Sequence, residues 1–119
     1  MPVSKIPIAE AFAELQKLGR ARILVGSGGA TAQLEGPLGF ERAGEALVLD
    51  VGCACRVRIA CDRLRHAVVS EKEADGKPAA HVQLFDGNYD KLVALVFPDG
   101  LAAAQKLIAR LDGNDFEIG

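Results

Sequence analysis

No apolar run in this chain approaches the roughly 20 residues that a bilayer-spanning helix needs. The opening Met-Pro-Val-Ser-Lys also lacks the apolar core of a secretory signal. A cytoplasmic setting without membrane insertion is therefore expected. An excess of positive charge is missing too: 14 Lys and Arg stand against 16 Asp and Glu, with the signs interspersed and a formal net charge of −2. Without a basic field to neutralise phosphates, nucleic acid is excluded as an expected partner. Cysteine is scarce. The three thiols fall within nine positions, Cys53 and Cys55 are too close for an easy bridge, and an odd number makes no disulfide framework. Reduced thiols fit the expected compartment. Neither a Gly-x-Ser-x-Gly elbow nor a histidine-rich metal spacing occurs, so hydrolase chemistry has no foothold, and no catalytic residue or metal site is assigned.

What is present is the material of one small core. Half of the 119 residues are hydrophobic and a quarter are charged, which predicts a single domain over 1–119. The most regular stretch runs from Arg56 to Phe97 and reads as consecutive strands. Cys53, Cys55, Val57, Ile59 and Cys61 share one parity, while Ala54, Arg56, Arg58, Ala60 and Asp62 share the other, which predicts a buried face backed by paired arginines.

Elsewhere the period changes. Ser4 to Leu18 predicts a helix with Ser4 as cap, Pro7 in the first turn, and Ile8, Phe12 and Leu15 on one stripe, stopped by Gly19. Arg22 to Val25 and Ala30 to Glu35 read as strands joined across Gly26-Ser27-Gly28-Gly29. Leu38 to Arg42 and Ala46 to Val51 form a second pair. Ala54 to Ala60, Leu64 to Lys72, Pro78 to Phe85 and Leu92 to Phe97 follow, with turns at Ala74-Asp75-Gly76-Lys77 and Asp86-Gly87-Asn88-Tyr89, and their close spacing predicts antiparallel neighbours in order. Leu101 to Leu111 returns to helical spacing with Asp99 as cap, and Asp112 to Gly119 is expected to fray. Helix, strands, helix is an α+β pattern with helices over one face or end of a sheet.

Several motifs have two readings. The glycine loop at Gly26 to Gly29 resembles a phosphate cradle, but a strand follows it rather than a helix N-terminus, which favours a hairpin. The cysteines have no second pair for a soft metal, and their common parity favours core packing. Asp86, Asp90 and Asp99 stand beside turn glycines or near a helix start, where aspartate serves turns and caps. His81 alternates against Val82 and Leu84, which places it on the side of Gln83, away from the core. The alternation around His66 is ambiguous. Neutral surface histidines and a solvated arginine face, with ion pairs worth at most about 1 kcal/mol each, form the plainer reading. The sharper one is a face bearing Arg56, Arg58 and His81 that holds haem: histidine ligates haem iron, and arginines pair with porphyrin carboxylates.

The run Arg56-Val57-Arg58-Ile59-Ala60-Cys61-Asp62-Arg63-Leu64-Arg65-His66-Ala67-Val68-Val69, then His81-Val82-Gln83-Leu84-Phe85-Asp86 and Leu92-Val93-Ala94-Leu95-Val96-Phe97, resembles the haem-utilisation proteins of the HemS, ChuX and HutX type. Val82-Gln83-Leu84-Phe85-Asp86 is similar to that family's Val-Gln-Phe-Phe-Asn/Asp. The resemblance covers the second half of the chain and implies a large curved antiparallel β-sheet flanked by an N-terminal and a C-terminal helix. It also implies a homodimer that imitates the two halves of HemS, and a haem cofactor. Arg58 stands where the family tends to carry a histidine, and an arginine stays protonated and cannot ligate iron. The resemblance therefore leaves His66 or His81 as axial ligand, with Tyr89 third, and Arg56 and Arg58 at the propionates. It implies an intracellular protein that binds or transfers haem or a related ligand. The alternatives are a dimeric interaction module that has lost haem, or a pocket for another acidic small molecule, or a haem-degrading enzyme.

Overall fold

In the computed structural model of the protein, which describes residues 4–27, 30–52 and 56–119, the first element is a short strand, β1 (Ser4–Ile6), and not a helix. Helix α1 (Ile8–Gln16) begins only after Pro7, which occupies the N-cap at φ −59° and ψ 148° with no side-chain cap. The helix expected from Ser4 is thus shortened. A proline forces the residue before it out of helical geometry, and Ser4 instead pairs with Phe116. Ile8, Ala11, Phe12 and Leu15 are buried, the i, i+3, i+4, i+7 stripe of an amphipathic helix.

The remaining elements are β2 (Arg20–Ser27), β3 (Ala30–Pro37), β4 (Gly39–Ala43), β5 (Ala46–Asp50), β6 (Arg56–Ala60), β7 (His66–Ala74), β8 (Lys77–Phe85), β9 (Lys91–Phe97), α2 (Leu101–Leu111) and β10 (Asp115–Ile118). A seven-stranded sheet has the order β1-β10-β7-β8-β9-β2-β3, antiparallel except for the parallel pair β1 and β10; β4-β5-β6 form a three-stranded antiparallel sheet. Sequential pairing holds within β2–β3, β4–β6 and β7–β9. It breaks between β3 and β4 and between β6 and β7, and β9 returns to pair with β2. Where the chain passes from one sheet to the other, Gly36 lies so close to β5 that a Cβ there would sit 1.8 Å from the Val51 carbonyl oxygen.

The tail also departs from expectation. Phe116 and Ile118 are buried while Asp115 and Glu117 alternate with them, so the segment expected to fray is an inner strand of the large sheet, between β1 and β7. At α2 the N-cap is Gly100, with no side-chain cap, and the exposed Asp99 precedes it. A Cβ at Gly100 would lie 2.5 Å from the Leu18 carbonyl oxygen and 2.8 Å from Phe97 Cβ, so close approach fixes the residue there. Asp112 closes α2 in the left-handed region at φ 55°, which aspartate tolerates better than most side chains.

Among the described residues, one face of the seven-stranded sheet packs against both helices and the small sheet. Ala67, Val69, Ala80, Val82, Leu84, Val93, Leu95, Phe97, Ala21, Ile23, Phe116 and Ile118 share a parity and a continuous core. Phe12 and Leu15 of α1, Ala104 of α2, and Leu47, Leu49 and Ile59 of the small sheet complete it. The rings of Phe12 and Phe40 lie 5.8 Å apart, seating α1 against β4. None of the residues of opposite parity on β7 and β8 belongs to this core, and on β9 Leu92, beside the register shift, packs against it.

Candidate ligand-binding trough

The register brings a mixed set of side chains onto the other face. Ser70, His81, Val96, Arg22 and Glu35 form one cross-strand row from β7 to β3. Val68, Gln83, Ala94 and Leu24 form the next, and His66, Phe85 and Lys91 the one beyond. Although outside the core cluster, Ala79 is 0% exposed, Ala94 and Val96 4%, and His81 8%. Small side chains sunk below larger ones describe a trough.

At its centre is a cleft of about 200 Å³, lined by Leu24, Val25, Ala94, Gln83, His81, Lys72 and Lys91. The floor is apolar and its cations stand at the side. Burial, reinforced by Lys72 and Lys91, holds the His81 imidazole below its ordinary pKa of 6.5, so at neutral pH the ring is uncharged and keeps a lone pair on one nitrogen.

One end of the trough is closed by charge. The Ala74-Asp75-Gly76-Lys77 turn has φ 53° at Asp75 and 79° at Gly76, the two positive values of a type I′ hairpin turn. From it Asp75 reaches back across the sheet. Nη2 of Arg22 donates to Asp75 Oδ2 at 2.7 Å and to Glu35 Oε1 at 3.1 Å. The hydrogen bond from Arg22, with its charge, keeps the Asp75 carboxyl below the usual 3.8.

Aromatic rings build the opposite end. The buried Asp86 accepts the Asn88 and Asp90 N–H groups at 2.9 and 3.0 Å and lies 3.5 Å from Arg63. Above all the Asp90 N–H, then those of Asn88 and Arg63, lowers its pKa against the opposing effect of desolvation. The turn so fixed holds Tyr89 at φ 59°, with its ring stacked on His66 at 4.1 Å between centroids and 11° between planes. Phe85 packs obliquely at 5.9 Å, and His66 Nδ1 is buried without a hydrogen-bond partner among the described residues.

His66 and His81 thus share a face, as do the positions expected of His81 and Gln83. His81 is buried there, however, and not at the surface. Ser70, which faces His81, is four residues from His66, about 13 Å along the strand. Two ligands so separated cannot serve one iron. Arg56 and Arg58 are exposed as their parity predicts, with Val57 half-buried, Ile59 and Cys61 buried, and Cys61 a free thiol. They nevertheless lie on β6 of the other sheet, where Arg56 faces Asp50 and Arg58 faces Val48. The face shared by the two arginines and His81 does not form, because alternation along a strand assigns sides but not the sheet to which the strand is added. Cys53, Ala54 and Cys55 lie outside the described residues. Of the glycine loop, Gly28 and Gly29 lie outside the described residues; β2 and β3 pair antiparallel on either side, with Ser27 opposite Ala30.

Asp90 and Asp99 are exposed, and Asp86 is consumed by its turn. Among the described residues no group of three or more His, Cys, Asp or Glu is placed to hold a metal ion, and no helix is long and apolar enough to cross a membrane. The sequence reading missed Lys72, Lys91 and Arg22. Lys72 has the strand parity of Ser70 and could have been placed beside His81; Arg22 required the pairing of β9 with β2.

No family model matches this chain, and no curated protein matches its sequence. Solved structures do match its fold. A crystal structure of ChuX superposes with a TM-score of 0.72 at 13% identity, covering 90% of this chain and 75% of that one. A structure described as the heme binding protein ChuX gives 0.70 at 14%, covering 90% and 76%. A protein from Erwinia carotovora gives 0.68 at 14%, covering 87% and 70%. At these identities the likeness is one of architecture: the large, mostly antiparallel sheet with two helices on one face is the fold of ChuX.

Proposed function

We propose that this protein is a haem-utilisation-type carrier that binds haem, or a closely related planar acidic ligand, in the open trough of the seven-stranded sheet. The observation that carries this reading is the buried, neutral His81 on the uncovered face, with apolar Leu24 and Ala94 beside it and Lys72 and Lys91 at its flank. The fold shared with a protein described as heme binding supports it. The donor set fits the group. His81 would offer a ring nitrogen to the iron, the Lys72 and Lys91 ammonium groups would meet the propionates, and Leu24, Val25 and Ala94 would hold the apolar part of the ligand. Bound there, the iron would supply the redox and ligand-exchange chemistry, while the chain's own residues bind and orient the ring.

The cleft is smaller than the ~300–1,000 Å³ of pockets that enclose a drug-sized ligand. One chain therefore covers one side of the macrocycle. A second copy of the chain over the trough would supply the other wall, and a half-open site suits transfer rather than storage. His66 is the competing axial ligand, already stacked under Tyr89. Arg56 and Arg58 have no part in this reading.

The test is a haemin titration followed through the Soret band. The wild-type protein and His66→Ala should give a saturable shift, and His81→Ala should lose it or change its position. Absence of a saturable shift in the wild-type protein overturns the reading. If His66→Ala alone abolishes it, the iron belongs at the Tyr89 end.

A further inference from the structure

Arg22 occupies an unusual position for a surface cation. Its side chain is only 15% exposed, and Nε is buried with no hydrogen-bond partner among the described residues. Both of its ion pairs are made by the single nitrogen Nη2. The carboxylates it holds are far more open, Glu35 at 41% and Asp75 at 63% exposure. Arg22 shares a cross-strand row with Val96 and His81, two strands away, about 10 Å at the usual interstrand spacing.

An arginine fork satisfies a carboxylate best through two parallel N–H bonds, and the Nε–Nη2 edge offers such a pair. Here that edge is half used. Asp75 takes Nη2 alone, from a hairpin turn that approaches from across the sheet, and nothing described takes Nε. Exposed ion pairs are weak and exchange readily against a better-matched anion.

We propose that Arg22 is a second anchor of the trough, which accepts a carboxylate of the bound ligand along its Nε–Nη2 edge in exchange for Asp75. In the free protein Asp75 stands in for that carboxylate and keeps the guanidinium aligned. The ligand class is then an apolar, planar molecule with an acidic arm on the β2 side, and Lys72 and Lys91 remain for a second acidic group. The inference rests on the trough being the binding site but does not require an iron-ligating His81.

The test uses metal-free protoporphyrin and its dimethyl ester, titrated by absorbance into the wild-type chain, Asp75→Asn and Arg22→Gln. Asparagine tolerates the positive φ of residue 75, so that variant should preserve the turn. The wild type should prefer the free acid to the ester. Asp75→Asn should tighten the free acid about threefold to tenfold and leave the ester unchanged, because the competing anion is gone. Arg22→Gln should weaken the free acid and cut the preference to the part that Lys72 and Lys91 maintain. The inference is overturned if Asp75→Asn leaves the free acid no tighter, if Arg22→Gln leaves the preference undiminished, or if neither macrocycle binds. A retained acid preference beside a haemin spectrum indifferent to His81→Ala would overturn the axial-ligand reading and leave Arg22 standing.

Discussion

The two faces of the seven-stranded sheet bury residues for different reasons. On the inner face Val82 and Leu95 are fully buried because two helices and a second sheet lie over them. On the outer face Ala79, Ala94, Val96 and His81 are nearly as buried, yet none belongs to the core. Burial under packed apolar groups stabilises a fold, while burial at the bottom of a half-polar trough prepares a surface for something else.

The largest contrast between the faces is in stability. Leu95→Ala and Phe116→Ala should each cost about 2–5 kcal/mol, since both leave cavities in the inner core. Leu24→Ala, on the half-buried outer face, should cost less than about 1 kcal/mol. Urea unfolding at constant m-value measures the difference. Equal costs would mean that the outer face is as tightly packed as the inner one.

A smaller effect concerns His81. Its folded pKa lies below 6.5, so on acidification the unfolded chain takes up this proton first. The contribution of the neutral ring is complete above about pH 6.5 and is lost as pH falls from there toward the folded value. The urea midpoint should therefore fall between pH 7.5 and 5.5, and His81→Gln should flatten that slope. A slope unchanged by the substitution would show that the imidazole titrates as freely as in water.

At the aromatic end the window is different. The Asp86 carboxyl is held below 3.8, so its stabilisation is present above that value and disappears as pH falls through the folded pKa. Asp86→Ala should lower the melting temperature at pH 7 and release Tyr89, seen as a shift of the His66 ring signals by NMR. The smallest effect is expected in the three-stranded sheet. Arg58→Ala should change stability by no more than about 0.5 kcal/mol and leave haemin binding unaltered, because the side chain is exposed and far from the trough.

Much of this was legible in the chain. Asp75-Gly76 with flanking alternation marked the β7–β8 hairpin, the spacing of Leu101, Ala104 and Leu107 marked α2 to the residue, and the parity of Arg56 to Cys61 was right. Those signals are local. The union of β9 with β2 and of β10 with β7 joins residues far apart in sequence, and nothing in a period of two announces which strand will be the neighbour. Asp115 to Ile118 alternates for only four residues, too short a run to distinguish from a tail. For the same reason alternation gives the sides of the two arginines and of His81 but not the sheets that hold them.

The stack of Tyr89 on His66 has a practical consequence. The chain contains no tryptophan and this single tyrosine, so its tyrosine emission arises at the rim of the trough. An absorbing ligand settling nearby would quench that light, and a ligand that parts the two rings would alter it. Occupancy can thus be watched without a label, from a reporter that the sequence itself provides.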